Sequence, residues 1–327
     1  MQPNLDIELV ICTHNNAAQL TLVLDAIAQQ QVSDSTQWGV LVVNNNCTDG
    51  TADLVEQAIA TGKIPLLHMV QETTQGLTST RPCGMTQRTA PWIAYVDNDY
   101  VLQPDGGEQT VRFVTQHPEA RAFGGGRVVL TWETTPSPFV LGYGYCFAEQ
   151  EHGMQIQEQR DCLVVAGMVV NRKALDVCGW TKRQLMHDRI GEKLISGGDF
   201  EMALRIRGAG YFLWYTPACV LKHLIPPRRT SPTYLKSMNM GLGTCQIYAD
   251  LMLWAGSFSA WVQSAAWKTT KLSLEILSQT LRMWLGRVEP VDVAIQWSFV
   301  KGRWVGLVQL LQTDQERQQS LMGCAKL

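Results

Sequence analysis

No two of the nine cysteines stand in a C-x-x-C pair, and an odd number cannot pair off completely. This excludes a zinc ribbon and a secreted disulfide scaffold, and a reducing cytosol is the expected compartment. No uninterrupted run of about 18 strongly apolar residues occurs, so no ordinary spanning helix is expected. Residues 1–8 carry two acids, Asp6 and Glu8, and no basic stretch, so they do not read as a signal peptide. The expected location is cytoplasmic, with the inner face of the plasma membrane left open. Excess charge of either sign is lacking too: 27 Lys and Arg face 29 Asp and Glu. With no net cationic field, nucleic acid is not an expected partner. There is no internal repeat and no low-complexity stretch.

What is present is a core-forming chain of 327 residues, 46% hydrophobic, enough for one large or two fused domains. Ile7–Cys12 reads as a strand, followed by a polar break at Thr13-His14-Asn15-Asn16. Leu20, Val23, Leu24 and Ile27 then recur at helical spacing. Val40–Val43 reads as a second strand, stopping at the turn and cap residues of 44–50. A helix is expected over 52–60, and strands over Leu66–Val70 and Trp92–Val96. Alternating strands and helices predict a parallel sheet with helices on both faces. In such a sheet, the loops after the strands' carboxyl ends meet at one edge, where ligands bind. The polar segments 13–16, 44–50 and 97–99 are therefore expected to converge. Further along, Gly124-Gly125-Gly126 suggests a turn before a strand at 128–130. Residues 163–170 form another apolar run, and a helix is expected over 200–208.

Asp97-Asn98-Asp99 is the sharpest chemical feature. Two carboxylates so close raise each other's pKa unless a cation joins them. A hard dication, Mn²⁺ or Mg²⁺, bridged to a diphosphate would supply that charge. Taken alone, the motif reads equally well as a solvated turn capping the next helix.

The chain resembles the family-2 inverting glycosyltransferases of the GT-A fold. The resembling motifs are Val10-Ile11-Cys12-Thr13-His14-Asn15, then Val42 through Thr51, then Gly76-Leu77 with Arg81. Ala94-Tyr95-Val96-Asp97-Asn98-Asp99 follows, then Gly198-Asp199-Phe200-Glu201 with Arg205, and Tyr215-Thr216-Pro217-Ala218 with His223. Together they span residue 7 to about 235. The resemblance implies an α/β fold, a GT-A type nucleotide-binding domain with a mainly parallel central sheet over 1–233. Beyond the resemblance, the change of composition from about residue 234 predicts a tryptophan-rich, mostly helical C-terminal module over 234–327.

The resemblance also implies roles. Thr13 and Asn15 would contact the nucleotide, and Arg81 the nucleotide or its phosphates, unless Arg81 is a surface charge. Asn44 stands where the family usually has an Asp that binds uracil. Asn can still accept a hydrogen bond but carries no charge, so the base stays open. Asp97 would bind the ribose or metal region, and Asp99 the metal. Asp199 would be the catalytic base of an inverting transfer, or else the cap of the following helix. The family's usual acid just before it is here Gly198. His223 would help hold the metal, although a lone His is often structural. Arg228 and Arg229 either neutralise a departing diphosphate or are solvated loop charges. The donor would be a UDP- or GDP-sugar and the acceptor a glycan or lipid-linked glycan. The absence of a Gln-x-x-Arg-Trp motif speaks against processive synthesis. A nucleotidyltransferase on the same fold, or a non-catalytic glycan-binding module, are the alternatives. The former would be expected to open with a Gly-rich loop and a basic residue, which the segment after Ile11 lacks.

The tail has its own character. Six of the eleven tryptophans lie between 254 and 304, with six basic residues and three acids over 251–304. Leu251–Trp267 is uncharged, and Trp254 and Trp261, seven apart, are expected on one helical face. Further amphipathic helices are expected at 272–285 and 291–311. Residues 251–311 could either pack on the catalytic domain or make a peripheral membrane contact.

Overall fold

The computed structural model describes residues 5–87, 89–124, 126–159, 167–186, 194–195 and 197–324. Gly125 of the expected glycine turn, and 163–166 of the apolar run, lie outside the described residues.

The strands are β1 (Ile7–Thr13), β2 (Trp38–Asn44), β3 (His68–Gln71), β4 (Trp92–Tyr95), β5 (Tyr100–Leu102), β6 (Ala122–Phe123), β7 (Arg127–Trp132), β8 (Gln157–Gln159), β9 (Val169–Asn171), β10 (Leu213–Tyr215) and β11 (Val220–Ile225). The helices are α1 (Ala17–Ala28), α2 (Thr51–Thr61), α3 (Leu77–Thr86), α4 (Gly106–Gln116), α5 (Pro138–Leu141), α6 (Arg172–Val177), α7 (Gly198–Gly208), α8 (Pro232–Met252), α9 (Phe258–Trp284), α10 (Pro290–Gln312) and α11 (Gln315–Leu321).

The large sheet has the order β3-β2-β1-β4-β9-β6-β10-β8. β1 is buried at every residue, which is why its apolar run does not alternate with polar positions: helices cover both faces. It pairs in parallel with β2 and β4, and β2 with β3. On one face Ile7, Leu9 and Ile11 pack against Leu20, Val23 and Val55. On the other, Val10 and Cys12 pack against Met85, Met202 and Leu213. A smaller sheet, β5-β11-β7, stands beside it.

Two expected boundaries move. The third strand starts at His68, because Leu66 has φ 48° and turns the chain. The uncharged stretch 251–267 is not one helix. α8 ends at Met252 and α9 begins at Phe258, with the Ser257 hydroxyl accepting from the Ala260 N–H as its N-cap. Trp254 therefore sits in the corner, where its indole donates to the Ser257 carbonyl at 3.0 Å, while Trp261 is buried in α9.

α8 and α10 approach closely through glycine. A Cβ on Gly243 would lie 2.1 Å from the Phe299 carbonyl oxygen, and one on Gly302 2.0 Å from that of Met240. Buried Arg303 crosses this bundle, donating to Gln246 Oε1 at 2.8 Å and Thr269 Oγ1 at 3.2 Å, and pairing with Asp250 at 3.3 Å. The helical part shares cores with the α/β part: Leu204 with Cys245, Trp261 and Leu307, and Phe147 and Ile225 with Leu235 and Ile295. Among the described residues no helix is long and apolar enough to cross a membrane.

Candidate active site

The loops after β1, β2 and β4 do converge, and asparagines tie them together. Asn98 Nδ2 donates to Thr13 Oγ1 at 2.8 Å, and Asn16 Nδ2 donates to Asn98 Oδ1 at 3.1 Å. Asn15, held at φ 48°, accepts from the Thr48 N–H at 2.7 Å. Asn tolerates that left-handed backbone better than most side chains. Buried Asn44 accepts from the Cys47 N–H at 2.9 Å, so its side-chain oxygen closes its own loop. Thr13, Asn15 and Asn44 thus form the walls of the edge, with side-chain oxygens already engaged.

Asn45 escaped the sequence reading. Its Nδ2 donates to the carbonyls of Glu72 and Thr74 at 2.9 and 2.8 Å, and its Oδ1 accepts from the Gly76 N–H at 2.8 Å. It fastens the end of β2 to the turn that opens α3. The signal was a run of three Asn, in which nothing marks the middle one.

Arg81 is not a surface charge. It is buried in α3, a helix whose slender residues let it lie against β1 and β2. Its Nη1 pairs with Asp199 Oδ1, and its Nη2 lies 3.8 Å from Asp97 Oδ1. One guanidinium thus spans the acid after β4 and the acid in the first turn of α7. Both carboxylates keep solvent access, with side-chain exposures of 35% for Asp97 and 25% for Asp199. The N-terminus of α7 adds its own favourable field for an anion at Asp199.

A second cluster forms around Asp99, which is buried. Its Oδ2 lies 2.8 Å from Arg229 Nη1 and 3.5 Å from His223 Nε2. Arg229 Nη1 also lies 3.0 Å from His223 Nε2. A guanidinium can only donate, so Nε2 is the acceptor and the ring proton sits on Nδ1. That proton is donated to the Phe147 carbonyl at 2.6 Å, and the Tyr100 ring stacks on the imidazole at 4.3 Å. Burial works against the charged Arg229. The Asp99 carboxylate, with Tyr234 and Tyr100 nearby, more than offsets it, and its pKa lies above the ordinary value. Arg229 is therefore no loose solvated charge, whereas Arg228 beside it is exposed.

These contacts test the fit of a dication. Among the described residues no three His, Cys, Asp or Glu side chains converge as a ready-made cation site. Asp99 Oδ2 and the His223 Nε2 lone pair do converge, and a cationic N–H of Arg229 stands at their meeting point. The carboxylate oxygen suits Mn²⁺ or Mg²⁺, while the imidazole nitrogen fits the softer Mn²⁺ better, provided diphosphate oxygens complete the shell.

Glu201 is also conspicuous, two residues after Asp199, and does not replace the acid missing at Gly198. It is fully buried and accepts from the Leu185 and Met186 N–H groups at 2.8 and 2.7 Å and from Arg205 at 2.7 Å. Its carboxylate is consumed in holding Leu185, Met186 and Arg205. Cys12 behind the edge is no nucleophile either: burial pushes its thiol up to about 12, despite the Thr80 hydroxyl and Arg81.

A mainly parallel sheet with polar loops and acids at its carboxyl edge, followed by helices, is the architecture of the GT-A fold. The family described as "Glycosyl transferase family 2" matches residues 8–176, and the chain belongs to it. It is 24% identical over 245 residues, 74% of each chain, to the glycosyltransferase AglE of Haloferax volcanii. It is 23% identical over 112 residues to an uncharacterized glycosyltransferase of Haemophilus influenzae, covering 34% of this chain and 35% of that one. In structure it is similar to the mannosyltransferase PcManGT from Pyrobaculum calidifontis, solved with GDP-Man and Mn²⁺. The TM-score is 0.58 at 17% identity, over 94% of this chain and 88% of that one.

Proposed function

We propose that the enzyme moves a sugar from a UDP- or GDP-sugar to a glycan or lipid-linked acceptor, with inversion and with Mn²⁺ or Mg²⁺. The observation that carries this reading is the Arg81 bridge between Asp97 and Asp199. It holds Asp97, assigned to the donor side, and the solvent-reachable Asp199 on two nitrogens of one guanidinium, which supports giving them separate roles in one site. Asp199 would take the proton of the acceptor hydroxyl as its oxygen attacks the anomeric carbon, while the bond to the diphosphate breaks. Such a base contributes about 10²–10⁴-fold to the rate. Thr13, Asn15 and Asn44 would line the nucleoside side, and Arg81 would orient both acids. Asp99 and His223 would hold the dication, with Asp97 joining only if it leaves Arg81; when bound, the ion takes up charge developing on the leaving diphosphate. Arg228 and a displaced Arg229 would face the same oxygens. The PcManGT complex with GDP-Man and Mn²⁺ supports GDP and Mn²⁺ as the first pair to try.

The test is calorimetry of GDP and UDP with and without Mn²⁺, beside an Asp199→Asn variant. Nucleotide uptake that needs Mn²⁺ is expected, with uptake unchanged and transfer reduced about 10²–10⁴-fold in the variant. Full transfer by the variant would remove Asp199 from the mechanism. Absence of nucleotide uptake would remove the donor site.

A further inference from the structure

The outward side of α9 is apolar along much of its length. Its core face buries only Trp261, Ala265, Thr269 and Ile276 among the described residues. Its solvent face carries Trp267, Leu274, Leu277, Leu281, Trp284 and, just past the helix, Leu285, at exposures of 70, 62, 48, 52, 74 and 69%. At 3.6 residues per turn these six fall within an arc of about 100°, roughly opposite the buried residues. The spacing runs along some 27 Å of helix at 1.5 Å per residue. An apolar stripe of that length on the outside of a soluble fold marks a contact surface.

Charge identifies the occupant. Lys268, Lys271 and Arg282 are exposed and line one edge of the stripe, with Arg287 just beyond its end; Glu275 is the one acid on that edge. Tryptophans stand near both ends of the stripe, where an indole at headgroup depth keeps its N–H wet and its rings in the acyl boundary. A second protein copy would need this same cationic edge to meet itself. An anionic bilayer complements it directly. The helix is not apolar enough to cross a membrane, which leaves the lying orientation.

We propose that α9 lies along an anionic lipid surface, with Trp267, Leu274, Leu277, Leu281, Trp284 and Leu285 inserted and Lys268, Lys271 and Arg282 on the headgroups. Trp254 and Trp261 do not take part, one being in the α8–α9 corner and the other in the core. The proposal stands apart from the transfer reading, since binding to lipid needs neither donor nor acceptor.

Flotation of the full chain with vesicles decides it. Phosphatidylcholine vesicles containing phosphatidylglycerol are expected to carry the protein, and phosphatidylcholine alone to carry at least tenfold less. A Leu277→Ser, Leu281→Ser, Trp284→Ser variant changes only exposed side chains, so its fold and nucleotide uptake are expected to persist. Its vesicle-bound fraction is expected to fall at least tenfold. A Lys268→Glu, Lys271→Glu, Arg282→Glu variant is expected to lose the preference for phosphatidylglycerol. Failure of the wild type to float with either vesicle overturns the proposal, as does wild-type flotation by the serine variant. A dimer, seen by sedimentation without lipid and abolished by the serine changes, would assign the stripe to a second copy instead.

Discussion

Arg229 and Arg81 each occupy a place that the sequence could not assign them. Arginine in a loop reads as a solvated charge, and only the return of the chain along β11 brings residue 229 under Asp99. The acids were legible because their motif follows an apolar strand, and Asp199 because it opens a helix. The pairing of Asp97 with Asp199 through Arg81 was not, since it joins three segments without any shared spacing. Arg229 carries a direct prediction. Its side chain and that of Asp99 are 13% and 7% exposed, so removing one partner strands the other in the interior. In chelator, Arg229→Ala is expected to lose about 3–5 kcal/mol of stability, the usual cost of breaking a buried pair. If the guanidinium stands where a dication belongs, Mn²⁺ should raise the melting temperature of this variant more than that of the wild type. Equal shifts would separate Arg229 from the cation site.

Among elements, the βα units were legible because buried parallel strands and amphipathic helices leave opposite periodicities. The α8–α9 corner was hidden by composition: Gly256 and Ser257 interrupt a run that is apolar on both sides. Two elements make testable claims. Asp49 joins the starts of α1 and α2, accepting from the Ala17 N–H at 3.2 Å and from the Thr51 hydroxyl at 2.5 Å. Burial alone would raise its pKa, but these hydrogen bonds outweigh it and hold the carboxyl below the ordinary value. A depressed carboxyl stabilises the fold above its unfolded pKa of about 3.9 and loses that contribution as pH falls through the folded value. Asp49→Ala is therefore expected to melt a few degrees below wild type at pH 7, with the gap closing below about pH 4. A gap independent of pH would show that the charge is idle. At the glycine seam, Gly302→Val must push α10 off the Met240 carbonyl. The expected loss in denaturant unfolding is about 1–3 kcal/mol or more.

For the whole molecule, the helical C-terminal module is chemically distinct yet shares its interior with the α/β part. Tyr143 donates to Asp292 at 2.7 Å and Arg317 to the Leu185 carbonyl at 3.1 Å, adding polar ties across the join. A chain cut after residue 233 would expose Leu204, Phe147 and Ile225, which the helices now cover. It is expected to be insoluble or to show no cooperative melt, while the full chain melts in one transition by calorimetry. Two separate transitions would mark the parts as independent.

Arg229 is tied to the bundle through its neighbours in the chain. It sits in a short 3-10 turn, Pro227–Thr230, and α8 starts at Pro232 with Ser231 as its cap. The glycine seam locks α8 in register against α10, so the helix cannot slide to carry the arginine away. Vacating the spot beside Asp99 would then fall to the 227–230 turn and the arginine side chain itself. An exposed side chain turns in picoseconds to nanoseconds, but this one must first part from a buried carboxylate, which slows the flip. Exchange of guanidinium for cation would then be gated by the strength of the Arg229–Asp99 pair and not by a slide of the helix.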